Sequence, residues 1–293
     1  LGVAGLVYTF GPDMLWFPVG YTTGFLLLLV LVAAPLRRSG AYTLADFAEG
    51  RLESRLVRKI TAALVVIVGW LYLLPQFKAA ALIVEIVAGI PGWIGELTVA
   101  AVVFGAVVSG GMRSITIAQA VQYWIKLTAL AIPAFVLFIV WIRHGQPSPT
   151  SAAGSDWSRF MGGYGGREQP VYGTYSTLIG LCLGTMGLPH IVIRFYTNLD
   201  GRAARRTTVI VIGLLGMFYV LTPLYAVLGR TYIPVLPTGS PAESVPLLLP
   251  QTMIPGIGGS ILTAILAGGA FAATLSTASG LTIAVAGVID QDL

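Results

Sequence analysis

Charge is what this chain has least of: Asp, Glu, Lys and Arg fill only 10% of its 293 positions, against about 25% in a soluble globular domain. With 56% hydrophobic residues and a mean hydropathy of +0.85, that scarcity excludes a soluble fold. It gives an all-α polytopic membrane protein, embedded in a lipid bilayer. Cysteine is down to one, Cys182 in an apolar segment, so there is no disulfide framework. The sequence holds two histidines and no Cys/His/acidic grouping with metal-ligand spacing. It sets no nucleophile beside a base either, so the pattern gives no enzyme and no cofactor site. The net charge of +5 implies no nucleic-acid partner, because the basic residues sit in connectors that follow membrane topology. Leu1 opens directly in apolar sequence without a charged n-region, so its first residues are expected not to be a signal peptide and the chain is expected to be an internal fragment that starts inside a helix.

Long apolar runs are what the chain has in quantity. Seven are long enough for a bilayer, which takes about 20 residues: 14–36, 60–89, 93–110, 115–142, 173–197, 207–230 and 255–288. Residues 1–8 read as the back half of a truncated eighth. All of 1–293 is then one transmembrane domain. Connector 37–59 holds six basic and three acidic residues, and 143–172 is a longer loop rich in Gly, Ser and Pro. If 37–59 is cytoplasmic, alternation puts Arg113, Arg194, Arg202, Arg205 and Arg206 on the same side. That makes eleven basic residues inside against four outside, Arg143, Arg159, Arg167 and Arg230. The positive-inside rule therefore predicts 37–59 in the cytoplasm and 143–172 outside.

Polar groups within the runs are the candidates for function. In the last run Ala273, Ser276 and Thr277 are spaced i, i+3, i+4, which sets a carbonyl and two hydroxyls on one helix face. Neutral oxygens without a carboxylate suit a hard monovalent cation, sodium above all; small and hydroxyl residues also serve simply to let helices pack closely. Both readings stay open on spacing alone. In 180–194 three glycines and Pro189 fall in mid-span. Proline removes a helix hydrogen bond and glycine costs about 1 kcal/mol against alanine, so a break or sharp kink is expected between Gly184, Gly187 and Pro189. Such breaks point to transporter substrate sites. His190 follows the proline, either lining the path or bonding a neighbouring carbonyl, and Arg194 is expected to reach the headgroups. Gln76 lies near mid-depth of its run and suits a cavity wall. Lys78 and Glu85 share a face, and Gln119, Gln122 and Lys126 should face the bundle interior.

Four strings carry a resemblance: YTLADFAEGRL at 42–52, SGGMRSITIAQAVQ at 109–122, GLPHIVIRFYTNLDGRAARRTT at 187–208 and AFAATLSTASGLTIAVAGVIDQDL at 270–293. They resemble the solute:sodium symporter family, and within it most closely the bacterial cation/acetate branch, which carries short monocarboxylates. The resemblance implies a partial five-plus-five inverted-repeat core of the leucine-transporter type, in the bacterial inner (plasma) membrane. It implies uptake of a small organic anion such as acetate, coupled to inward sodium or proton movement by alternating access. By the family motif, a sodium site maps onto Ala273, Ser276 and Thr277, the same trio that spacing selects. The substrate pathway is expected at Gln76, Gln119, Gly184, Gly187, Pro189 and His190. Gln119 stands where sugar and proline members carry an aspartate, which puts the choice of sodium over proton in question. Residues of the first helix that would complete both sites fall before Leu1. The competing expectations are a transporter-like sensor module of a signalling protein, and a sodium symporter for an amino acid or sugar.

Overall fold

The computed structural model describes residues 1–149, 157, 169–196, 198 and 200–292, apart from the side chains of 111–114 and 170. All regular structure among them is helical. A short helix α1 (Gly2–Phe10) stops at Gly11, whose φ of 87° is open to glycine and strained for other residues. After one tight 3-10 turn, α2 (Trp16–Leu27) widens through a π turn at residues 28–32 and continues as α3 (Ala33–Arg38). The basic connector folds into α4 (Leu44–Leu52), capped by Thr43, whose hydroxyl accepts from the Asp46 N–H. Next come α5 (Arg55–Ala88), closed by left-handed Gly89, and α6 (Gly92–Arg143). The rest is α7 (Pro170–Gly187), α8 (Pro189–Tyr196), α9 (Gly201–Tyr232), α10 (Val245–Met253) and α11 (Ile257–Asp292).

Six of these helices, or segments of them, are long and apolar enough to span a bilayer, and α7 with α8 makes a seventh, bent by 44°. They coincide with the seven runs read from the sequence, and α1 lies where the truncated one was expected. Large apolar side chains such as Val30, Leu71, Phe104, Val108 and Val220 stay exposed along the spans, as lipid-facing residues do. One difference concerns 111–114, expected as a connector between two spans: helical backbone continues through it. Both halves of α6 nevertheless meet the same stretch of α11. Val99 and Val103 share an apolar cluster with Ala278 and Leu281, while Gln119 donates to the Ser276 carbonyl.

α11 runs through the middle of the bundle against α5 and α6, and α2 lies along α7. Small residues make these approaches possible: a methyl on Gly69 would collide with Val285, and one on Gly269 with Ala129. Long-range bonds tie the connectors into two ends. At one end Arg58 joins Glu49 of α4 to Asp292 of α11, and Tyr196 donates to the Thr43 carbonyl at 3.1 Å. At the other, Tyr8 donates to the Ile233 carbonyl at 2.7 Å, Trp157 to the carbonyls of Val7 and Tyr8, and His144 meets Tyr232. Residues 37–59 and 200 thus share one end, and 144–149 and 233–244 the other, the alternation that seven crossings require. Most of the 143–172 loop, with Arg159 and Arg167, and the side chain of Arg113 lie outside the described residues.

Candidate functional site

The bend at Leu188 places the site's polar groups. α7 stays helical to Gly187, Leu188 is extended (ψ 116°), and α8 restarts at Pro189. Proline supplies no N–H and its ring opposes a continuous ladder, so the break falls immediately before it. It is narrower than expected: helix persists through Gly184 and Gly187, and only Leu188 leaves it. α8 then turns His190 and Arg194 toward α11. The His190 ring stacks on Tyr72 of α5 with centroids 5.5 Å apart, and its Nδ1 is buried without a hydrogen-bond partner among the described residues.

On the adjoining face of α6, Gln119 links two neighbours. Its Nε2 donates to the Ser276 carbonyl at 2.6 Å, and its Oε1 accepts from Arg194 Nη2. Arg194, expected to reach for headgroups, instead turns inward, because a span-embedded guanidinium is better served by a protein carbonyl oxygen than by lipid. Gly280 is what lets this group assemble. A methyl there would sit 3.2 Å from Gln119 Nε2 and 3.7 Å from His190 Cβ.

One turn along α11 the bundle opens into a cavity of about 910 Å³. Ala273, Thr277, Gln76 and Lys126 line it, with Lys78, Glu85 and Glu96 around the rest of its wall. Lys126 Nζ donates to Ser276 Oγ at 3.2 Å, and Glu85 accepts from the Gly92 N–H. Thr274 and Thr282 return their hydroxyls to the carbonyls of Phe271 and Ala278. Thr277 makes no such bond among the described residues, and its side of the helix faces the cavity.

The expected site residues therefore fall into three groups. Ala273, Thr277 and Gln76 meet on the cavity; Ser276, Gln119 and His190 gather beside it under Gly280. Gly184 and Gly187 join neither, being exposed with open space where a side chain would be, and Pro189 is buried under the bend. Spacing on one helix is enough to select the trio on α11. It gives no sign that Lys126 would meet Ser276 or that Arg194 would meet Gln119, since both contacts depend on how helices far apart in sequence pack.

The sodium:solute symporter family model matches residues 1–293. The chain belongs to the sodium:solute symporter family. Members of this family are transporters rather than enzymes, and sodium is their coupling ion. As a sodium:solute symporter, this multi-pass chain couples sodium to a solute across a bilayer, and a cavity within its bundle lies beside α11.

Proposed function

We propose that the chain takes up a small organic anion, acetate or another short monocarboxylate, together with sodium by alternating access. The observation that carries this reading is the cavity wall at Ala273 and Thr277. Ala273 and Thr277, the latter with a hydroxyl that has no acceptor among the described residues, border a space that the Lys126 side chain also borders. The Ala273 carbonyl and the hydroxyls of Ser276 and Thr277 would hold sodium as neutral oxygen ligands. The fit is partial in the arrangement seen, because Ser276 Oγ already accepts from Lys126. The anion enters the cavity, where Lys126 supplies positive charge and Gln76 offers both a donor and an acceptor. His190, stacked on Tyr72, lies between the bend and α11.

The 11-to-4 excess of basic residues orients connector 37–59 toward the cytoplasm of a bacterial inner membrane. An inside-negative potential then favours cation entry by about 2.3 kcal/mol per charge per 100 mV. Cotransport of at least two cations per monocarboxylate would make the cycle electrogenic. The α7–α8 break and the central α11 agree with a five-plus-five inverted-repeat core whose repeats rock about the site.

The test is uptake into proteoliposomes of labelled acetate, propionate, pyruvate and proline, with and without a sodium gradient. The reading predicts sodium-stimulated accumulation of the monocarboxylates and not of proline. Accumulation of proline alone would assign the site to an amino acid.

A further inference from the structure

Lys126 touches two things at once. Its Nζ donates to Ser276 Oγ at 3.2 Å, and the same side chain lines the cavity beside Ala273, Thr277 and Gln76. Other charges bordering that cavity are differently placed. Lys78 and Glu243 are exposed, Glu85 is bonded to the Gly92 N–H, and Glu96 stands near the start of α6. Arg194 approaches α11 from α8 and is bonded to Gln119. The ammonium that meets a hydroxyl of the candidate cation site thus belongs to a side chain that also borders the space for a solute.

An ammonium and a sodium ion seek the same oxygen, and two like charges cannot share it at contact distance in a site shielded from water. Lysine is a point charge on a flexible four-carbon stem, able to move between nearby acceptors. A carboxylate in the cavity is a stronger partner for it than a neutral hydroxyl. We propose that Lys126 is the coupling residue. Without a solute its ammonium holds the cation position at Ser276; a carboxylate solute draws it into the cavity and opens that hydroxyl to sodium. The inference rests on the symport reading above and adds to it how the two cargoes depend on each other. Anion and sodium then tighten each other's binding by the same factor, because coupling free energy is reciprocal.

The experiment is binding of radioactive sodium to the purified protein in detergent, with and without acetate, and in parallel with propionate and pyruvate. In the unmodified protein a carboxylate lowers the sodium Kd by about tenfold, within the usual range of such couplings. Lys126→Met binds sodium without carboxylate about as tightly as the unmodified protein does with it. Added carboxylate changes nothing further in that variant, and the carboxylate itself binds much more weakly. Sodium binding by the variant also reports that it has folded; Lys126→Gln, with the same expected behaviour, takes its place if the methionine variant does not accumulate. A Lys126→Met protein that keeps the carboxylate effect on sodium, or that is folded and binds no sodium, overturns the inference. Thr277→Val separates the two levels: unchanged sodium binding there fells the cation site itself, whereas weakened binding with coupling intact in Lys126→Met fells only the lysine's role.

Discussion

At the scale of single residues, the site depends on an uncharged side chain placed between a cation and a backbone carbonyl. Gln119 accepts from Arg194 and donates to Ser276, so it gives the guanidinium an acceptor and ties α6 to a backbone carbonyl of α11. Gln119→Leu keeps the bulk and removes both contacts. A hydrogen bond to a charged group contributes about 1.5–3 kcal/mol; the variant should therefore melt earlier in a detergent thermal-shift assay and bind sodium less tightly. An unchanged melting temperature would mean that water replaces the glutamine. Gly280 gives a graded companion. Gly280→Ala meets the far end of Gln119 at 3.2 Å, which a flexible side chain absorbs, whereas Gly280→Val should separate Gln119 and His190 from α11 and abolish transport.

At the scale of elements, α11 is the axis of the bundle, and its approach to α6 is set by glycine. Gly269→Ala drives a methyl into Ala129 Cβ, with no flexible atom to yield. Overpacking of this kind costs about 1–3 kcal/mol, and transport should fall with it; Gly268→Ala, which meets open space, is the control. Helix caps give a pH-dependent expectation. The Ala203 N–H donates to the Asp200 carboxylate at 2.7 Å and holds its pKa below the ordinary carboxylate value. A group with a lowered folded pKa stabilises above its unfolded value, so the contribution is whole at neutral pH. It is lost as pH falls through the lowered value. Asp200→Ala should thus melt earlier at pH 7, with the gap to the unmodified protein closing well below pH about 4. At the same end, Arg58→Ala strips the fully buried Asp292 side chain of its partner. It should lower the melting temperature more than Glu49→Ala, which removes a half-buried acid from the same arginine.

The spans and the bend are legible in the sequence because each follows from local composition: hydropathy over about 20 residues, and a proline that cannot continue a helix. α10 is not. It is nine residues long with Pro246 and Pro250 inside it, too short and too proline-rich to signal a helix, and it persists by burying Val245, Leu247, Leu249 and Met253 against the bundle. Arg194 misleads for a related reason. A cation one turn from a membrane edge reads as reaching outward, and only the packing of α8 on α11 turns it inward.

At the scale of the whole molecule, the two ends tied by Arg58–Asp292 and by Tyr8–Ile233 fix which connectors lie together, and the basic excess proposes which end faces the cytoplasm. With the buried Cys182 replaced by alanine, Ser148→Cys should react with a membrane-impermeant maleimide added to intact cells, and Ser39→Cys should not. The reverse pattern would invert the topology. Membership of the sodium:solute symporter family supplies sodium coupling in general. The particular claim is that a cation sits against Ala273, Ser276 and Thr277. The measurement that tests it most directly is the sodium dependence of uptake in Thr277→Val beside Thr277→Ser. Valine keeps the shape and loses the oxygen; serine keeps the oxygen. One charge-assisted contact is worth about 1.5–3 kcal/mol, roughly ten- to a hundredfold in affinity. Half-maximal activation should therefore move to a much higher sodium concentration with valine and stay near the original with serine. The same sodium dependence in both variants would contradict the site and leave this face of α11 a packing surface.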